Sequence, residues 1–189
     1  MKKNSLPTKI FITDENRLKD PLPIVRLLPS GSAVIFRHYN DPDRIEIAKT
    51  LIKETRGRHI KILIAGDVRL ALLVGAQGIH ITETMAKSDK RVWQHWRKPY
   101  WLVTAAAHSP IALIRAKKLG ANAALLSPVF PTISHPEISP IGVVRFSKWS
   151  RGSSLAIYAL GGVTNNNVCR LKNSKIQGIA GISNFINKC

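Results

Sequence analysis

The sequence predicts an α/β protein, a single (β/α)8 TIM barrel that is short for its type and whose eighth helix is vestigial or absent. Three observations predict it. Short aliphatic runs alternate with helix-like segments along the whole chain. Hydrophobic residues make up 44% of the 189 residues and aromatic residues only 6%, a mixture suited to parallel strands covered on both faces. No Gly-x-Gly-x-x-Gly follows the first aliphatic run, which disfavours an open doubly wound sheet. No linker or break in composition marks a second domain, so residues 1–189 are expected to form one barrel domain.

Eight strands are expected, at residues 10–13, 33–37, 60–65, 78–81, 101–105, 123–129, 156–160 and 178–182. Short crossovers between eight such units favour closure. Only residues 185–189 remain beyond the last strand, which leaves no room for a full eighth helix.

The clearest helix is predicted at 43–54, where Ile45, Ala48, Leu51 and Ile52 recur at helical spacing and Asp41 and Asp43 offer capping carboxylates. A second, at 109–119, begins with Ser-Pro and stops at Gly120. Helices are also expected at 67–74, ending at Gly75, and at 165–173, starting in a run of asparagines. Gly-Ala precedes a strand twice, at Gly75-Ala76 and Gly120-Ala121, as one recurring turn at the bottom of a barrel would require.

Composition bounds the function. Twenty-nine Lys and Arg against eleven Asp and Glu give a formal charge of +18. Such a field draws in anions. The cations are scattered, form no long tail and do not interleave with aromatics, so nucleic acid is disfavoured and a phosphorylated small molecule favoured. The apolar runs are too short to span a bilayer, and no apolar signal core follows the basic start. Cys169 and Cys189 have neither a disulfide framework nor metal-ligand spacing, which points to the cytoplasm. The oligomeric state is left open.

In a barrel of this kind the working residues lie at the C-terminal ends of the strands. Those ends carry Asp14, Arg37, Gly66-Asp67, His80, His108, Thr132 to His135, Gly161-Gly162 and Ser183. Gly161-Gly162 and Gly181-Ile182-Ser183 end strands seven and eight, where backbone N–H groups and a serine hydroxyl can hold a phosphate. The same Gly-Gly pair also serves a tight turn. The run from Ser127 to Pro136 has three prolines that stiffen a loop, with Thr132, Ser134 and His135 as its polar heads. On strand two, alternation places Ile35, Arg37 and Tyr39 on one face, so Arg37 is a candidate anion clamp at the mouth. His38 points the other way, into packing or to the surface.

Taken in order, these motifs resemble the thiamine phosphate synthase and thiazole tautomerase (TenI-like) superfamily over nearly the whole chain. The resemblance rests on Phe11-Ile12-Thr13-Asp14, Leu70-Ala71, and Gly75-Ala76-Gln77-Gly78-Ile79-His80. It continues through His108, Gly120-Ala121, Pro128-Val129-Phe130-Pro131-Thr132 and Gly161-Gly162-Val163-Thr164. It implies a barrel that binds thiazole phosphate and, as a transferase, joins it to hydroxymethylpyrimidine pyrophosphate, giving thiamine phosphate and pyrophosphate. It further implies that Thr132, Ser134, Gly161, Gly162, Ile182 and Ser183 hold the thiazole phosphate, that Arg37 meets the pyrophosphate, and that Mg2+ assists.

The departures fall on one half of that site. The family's Gln-x-Arg-x-Lys on strand two reads Ile35-Phe36-Arg37-His38-Tyr39, and only the arginine matches. Gly66 and Met85 stand where the resemblance implies magnesium-binding aspartates, so no metal ligand is assigned. Asp67 is expected to pair with Arg69, and Glu83 is a shifted carboxylate. A family serine is Ala106, and a family lysine is His135. Glycine in place of the first aspartate resembles the tautomerase branch, whose acid/base histidine falls at Pro128. His108 and His135 are the candidate proton-transfer groups; the alternative for His108 is a structural bond to backbone. The functions in view are therefore the synthase, the tautomerase, and a thiazole-phosphate-binding protein without chemistry.

Overall fold

The computed structural model describes residues 6–88, 91–132 and 137–182, the side chains of 91–93 excepted. Eight parallel strands close into a barrel in chain order, with the first paired to the last. They are β1 (Lys9–Ile12), β2 (Ala33–Phe36), β3 (Lys61–Ala65), β4 (Gly78–Ile81), β5 (Leu102–Ala107), β6 (Ala123–Leu126), β7 (Ala156–Ala159) and β8 (Gly178–Gly181). Among the described residues six helices surround them: α1 (Leu22–Leu27), α2 (Arg44–Thr55), α3 (Val68–Leu73), α4 (Glu83–Lys87), α5 (Pro110–Lys118) and α6 (Val143–Gly152). Short 3-10 turns occupy Arg91–Trp96 and Val168–Leu171. No helix among the described residues is long and apolar enough to cross a membrane.

Alternation along each strand divides the core in two. Ile10, Ile12, Ile35, Leu63, Leu125 and Tyr158 point inward and fill the barrel. Phe11, Val34, Phe36, Ile62, Ile64 and Ile79 point outward and pack under the helices. The bottom is closed by the segment before β1. Tyr158 donates its hydroxyl to Pro7 O at 2.6 Å, Gln177 Nε2 donates to Leu6 O at 3.3 Å, and Ile179 N donates to Thr8 O at 3.1 Å. Burial pushes the Tyr158 phenol well above its ordinary value, so it stays a donor.

The recurring Gly-Ala turn is a single structural unit. Gly75 and Gly120 take φ of +70° and +77°, which glycine adopts without steric cost. Ala76 N then reaches back to Ala71 O at 2.9 Å, and Ala121 N to Ala116 O at 3.0 Å. The next residue stitches the strand below: Gln77 Oε1 accepts from Ile62 N, and Asn122 Oδ1 from Val103 N, both at 2.8 Å.

Several expectations are corrected. The expected helix at 165–173 shrinks to the 3-10 turn Val168–Leu171, because Asn167 turns back on the loop: its Oδ1 accepts from Thr164 N at 2.8 Å and its Nδ2 donates to Gly162 O at 2.8 Å. The sixth strand ends at Leu126 rather than at 129, since Pro128 has no N–H to continue the ladder. Asp43 sits at the N-cap of α2 but its carboxylate does not cap it; Asp41 Oδ1 instead accepts from Asp43 N. Ile45 is exposed, and Thr55 takes the buried place at the other end of α2. By contrast Ser109 caps α5 as expected, accepting from Ala112 N at 3.2 Å. The region of the eighth helix, 183–189, lies outside the described residues.

Candidate active site at the C-terminal mouth

The inward residues one step past the barrel core line a cavity of about 250 Å3 at the C-terminal end. Arg37 and Tyr39 follow β2, His80 ends β4, and Thr82 and Glu83 begin α4. Ala106 comes from β5 and His108 follows it, Ser127 and Pro128 come from the loop after β6, and Leu160, Gly161 and Ile182 from just past β7 and β8. Thr132 and Ile138 complete the wall. Of the residues proposed from sequence, the fold brings together Arg37, His108, Thr132, Gly161 and Ile182. Gly162 lies just behind them. Ser134, His135 and Ser183 fall outside the described residues.

The turn after β7 is packed tightly on the loop after β6. Gly161 and Gly162 take φ of +87° and +64°. A Cβ on Gly161 would lie 2.7 Å from Pro128 Cα, and one on Gly162 would lie 2.2 Å from Pro131 O. The carbonyls here are occupied: Gly161 O accepts from Phe130 N at 3.1 Å and Leu160 O from Val129 N at 2.9 Å. The N–H groups of Gly161 and Gly162 donate no backbone bond among the described residues. The tight-turn reading of the pair is thus observed, and its two N–H groups are left without a backbone acceptor among the described residues.

Arg37 stands on the opposite wall. Its N–H donates to Thr13 Oγ1 at 2.9 Å, which ties the end of β2 to β1. Among the described wall residues it is the one Lys or Arg, and no carboxylate among the described residues pairs with it. His80 beside it is almost fully buried, and its Nδ1 lies 2.9 Å from Thr104 Oγ1. Burial, and then the Arg37 charge, push the His80 imidazole down to about 3, so it is neutral at working pH. The sequence places His80 at a strand end without assigning it a role; its signal is the two-residue step from Gly78 on the inward face of β4.

The His80 environment has a consequence for stability. The folded chain refuses a proton that the unfolded chain accepts below an imidazole pKa of 6.5, so stability falls with pH between 6.5 and about 3. This one group is expected to cost about 2 kcal/mol between about pH 7 and about pH 5. Urea unfolding of the wild type and of His80→Gln at both pH values checks this. A steeper loss in the wild type is the expected result, and equal slopes would show that His80 is not held neutral.

His108 makes the structural bond to backbone that was one of its two alternatives. Its Nδ1 lies 2.7 Å from Ser127 O, so that nitrogen carries the proton and donates it to the backbone. Nε2 is thereby left without a proton, 3.8 Å from Glu83 Oε2. The other Glu83 oxygen takes Lys87 Nζ at 2.7 Å. The Lys87 bond is the main cause holding the Glu83 carboxyl below its ordinary value.

Two further residues are placed differently from expectation. Asp67 pairs with Arg44, Nη1 to Oδ2 at 3.2 Å, and caps α3 by accepting from Leu70 N at 2.9 Å. Arg69, its expected partner, lies over the Trp96 ring at 5.8 Å. A pairing across 23 residues leaves no local sequence signal. His38 is fully buried, its ring 5.0 Å from Phe36, which settles it as a packing residue.

The Mg2+ implied by the resemblance does not fit the described residues. No group of three His, Cys, Asp or Glu is placed to hold a metal among them. Gly66 sits at φ +73°, with Thr82 Cγ2 and Tyr39 Cε1 3.4 and 3.5 Å from where its Cβ would be. Met85 packs half-buried against the core. Asp67 is engaged by Arg44 and by α3, which leaves Glu83 as the one carboxylate on the described wall. A hard dication needs more anionic oxygen than that.

Residues 10–185 match the family model described as thiamine monophosphate synthase. The chain is 31% identical over 188 residues to "Putative thiamine-phosphate synthase 2" of Aquifex aeolicus, covering 96% of this chain and 98% of that protein. In three dimensions it is similar to thiamine phosphate pyrophosphorylase from Pyrococcus furiosus, with a TM-score of 0.78 and 27% identity over 95% of this chain and 87% of that one. A KDPG aldolase from Legionella pneumophila shares the fold alone, at 16% identity and a TM-score of 0.65 over 97% of this chain and 85% of that one. With the barrel, its ordered motifs and a match from β1 past β8, the chain belongs to the thiamine monophosphate synthase family.

Proposed function

We propose that this chain binds thiazole phosphate at the C-terminal mouth of its barrel and joins it to hydroxymethylpyrimidine pyrophosphate in the cytoplasm, yielding thiamine phosphate and pyrophosphate. The observation that carries this reading is the Gly161-Gly162 turn, with its carbonyls occupied and its N–H groups unbonded among the described residues, beside a cavity of about 250 Å3. In this reading the phosphate lies against the turn and against Thr132, with Ser134 and Ser183 as further donors. The thiazole ring lies on Ile182, Leu160 and Ile12, and Arg37 faces the pyrophosphate across the cavity. The reaction separates charge at the breaking C–O bond, so a guanidinium fixed at the leaving group lowers its barrier.

Release of pyrophosphate from the two substrates is the test, followed with and without Mg2+. Turnover supports the reading, and its absence at high enzyme concentration removes it. A second reading has its own observation. His108 Nε2, oriented by Ser127 O and facing Glu83, is a proton-transfer group on the same wall, as tautomerisation of a thiazole phosphate would need. Isomerisation without pyrophosphate release would favour it. Tight binding of thiazole phosphate with neither reaction would leave a binding protein.

A further inference from the structure

We propose that Arg37 holds a phosphate-type anion directly, with no divalent cation between them, so that the β2–β4 side of the mouth is a metal-independent anion subsite. This rests on the reading that the mouth takes phosphorylated ligands, and adds how the second anion is bound.

The first support is the state of Arg37. It is half-buried on the cavity wall and has no carboxylate partner among the described residues. A guanidinium withdrawn from water without a counter-ion is costly, and an anion entering the cavity removes that cost. Its planar fork suits a phosphate, which it meets with two parallel hydrogen bonds.

The second support is the donor set around it. Where a metal-bridged anion would need anionic oxygen ligands, this wall presents Tyr39, Thr82 and the neutral His80, and Gly66 beside them has no side chain to offer. Gly66 is held in the left-handed region and its flank is already occupied by Thr82 and Tyr39. Arg44 fixes Tyr39 in turn, lying 5.6 Å over its ring while paired to Asp67. Glu83, the remaining carboxylate of the wall, is engaged by Lys87. The positive charge that a metal would supply is therefore supplied by the chain.

Calorimetric titration of the whole protein with inorganic pyrophosphate, first in EDTA and then in excess Mg2+, tests this. Binding is expected in EDTA, and Mg2+ is expected to leave it unchanged or weaken it. Arg37→Ala is expected to lose about 10- to 100-fold in affinity in EDTA, the loss expected for charge-assisted hydrogen bonds, and Arg37→Lys to lose less. The exposed pair Lys117→Ala and Lys118→Ala on α5 is expected to change nothing. Binding that requires Mg2+ overturns the proposal, and this comparison needs no variant. So does an Arg37→Ala protein that binds as tightly as the wild type. Titration of the same samples with thiazole phosphate separates the two readings. Thiazole phosphate bound without metal-free pyrophosphate keeps the proposed function and ends this inference. The reverse keeps this inference and ends that function.

Discussion

Alanine at Gly178 is expected to destabilise the barrel by about 3 kcal/mol or more, or to prevent folding. Gly178 opens β8, the strand that closes the barrel onto β1. A Cβ there would sit 1.9 Å from Thr8 O and 2.6 Å from Thr8 C. These are backbone atoms, and Thr8 O already accepts from Ile179 N. The methyl cannot be accommodated by rotating a side chain; the segment before β1 must move away from β8. That same segment holds Tyr158 through Pro7 O, so the displacement would also unseat a buried hydroxyl. Urea unfolding of the two proteins measures the difference. Gly152→Ala, on α6 with nothing within 4 Å of the new methyl, is the control and is expected to unfold close to the wild type. A Gly178→Ala protein of wild-type stability would mean that β1 and β8 are not closed in this register.

Valine at Gly162 is expected to abolish binding of thiazole phosphate, a loss of about 100-fold or more. Gly162 combines φ +64° with a Cβ position 2.2 Å from Pro131 O and 2.9 Å from Phe130 Cβ. A β-branched residue is poorly tolerated in that backbone region. Relief requires the turn to pull away from the loop after β6, and the N–H groups of 161 and 162 would turn with it. Thr132, two residues past Phe130, would lose its place on the cavity wall. Titration calorimetry reads this effect, with circular dichroism to show that the barrel persists. Retained affinity in a folded Gly162→Val protein would move the phosphate away from this turn.

The eight strands were legible because each is a short aliphatic run bounded by turn residues, and because the recurring Gly-Ala turn marks where α3 and α5 give way to β4 and β6. Helices were less legible. α6 buries only Phe146 and Ser150 fully, with Val143 and Trp149 half-buried beside them, so its apolar stripe is narrow and set among Arg145, Lys148 and Arg151. α1 is six residues long, and α4 buries none of its residues fully. The 165–173 segment failed for the opposite reason: its asparagines suggest a cap, but Asn167 spends its side chain inside the loop it belongs to.

The site divides in the same way. Arg37 followed from alternation on β2, and Gly161-Gly162 from its place after β7. The partners of these candidate residues were not legible, since they join residues far apart in the chain. Ser127 O orients His108 across 19 residues, and Arg44 takes Asp67 across 23. Glu83 reaches His108 from a different βα unit. Sequence patterns place such residues at the mouth one at a time; only closure of the barrel brings them face to face.

The central claim, that this mouth recognises the phosphate of a thiazole, is tested most directly by titrating the wild-type protein with thiazole phosphate and with its dephosphorylated alcohol. Saturable binding of the phosphate, with the alcohol weaker by about 100-fold or more, is the expected result. Equal affinity for the two, or no binding of the phosphate, would contradict it.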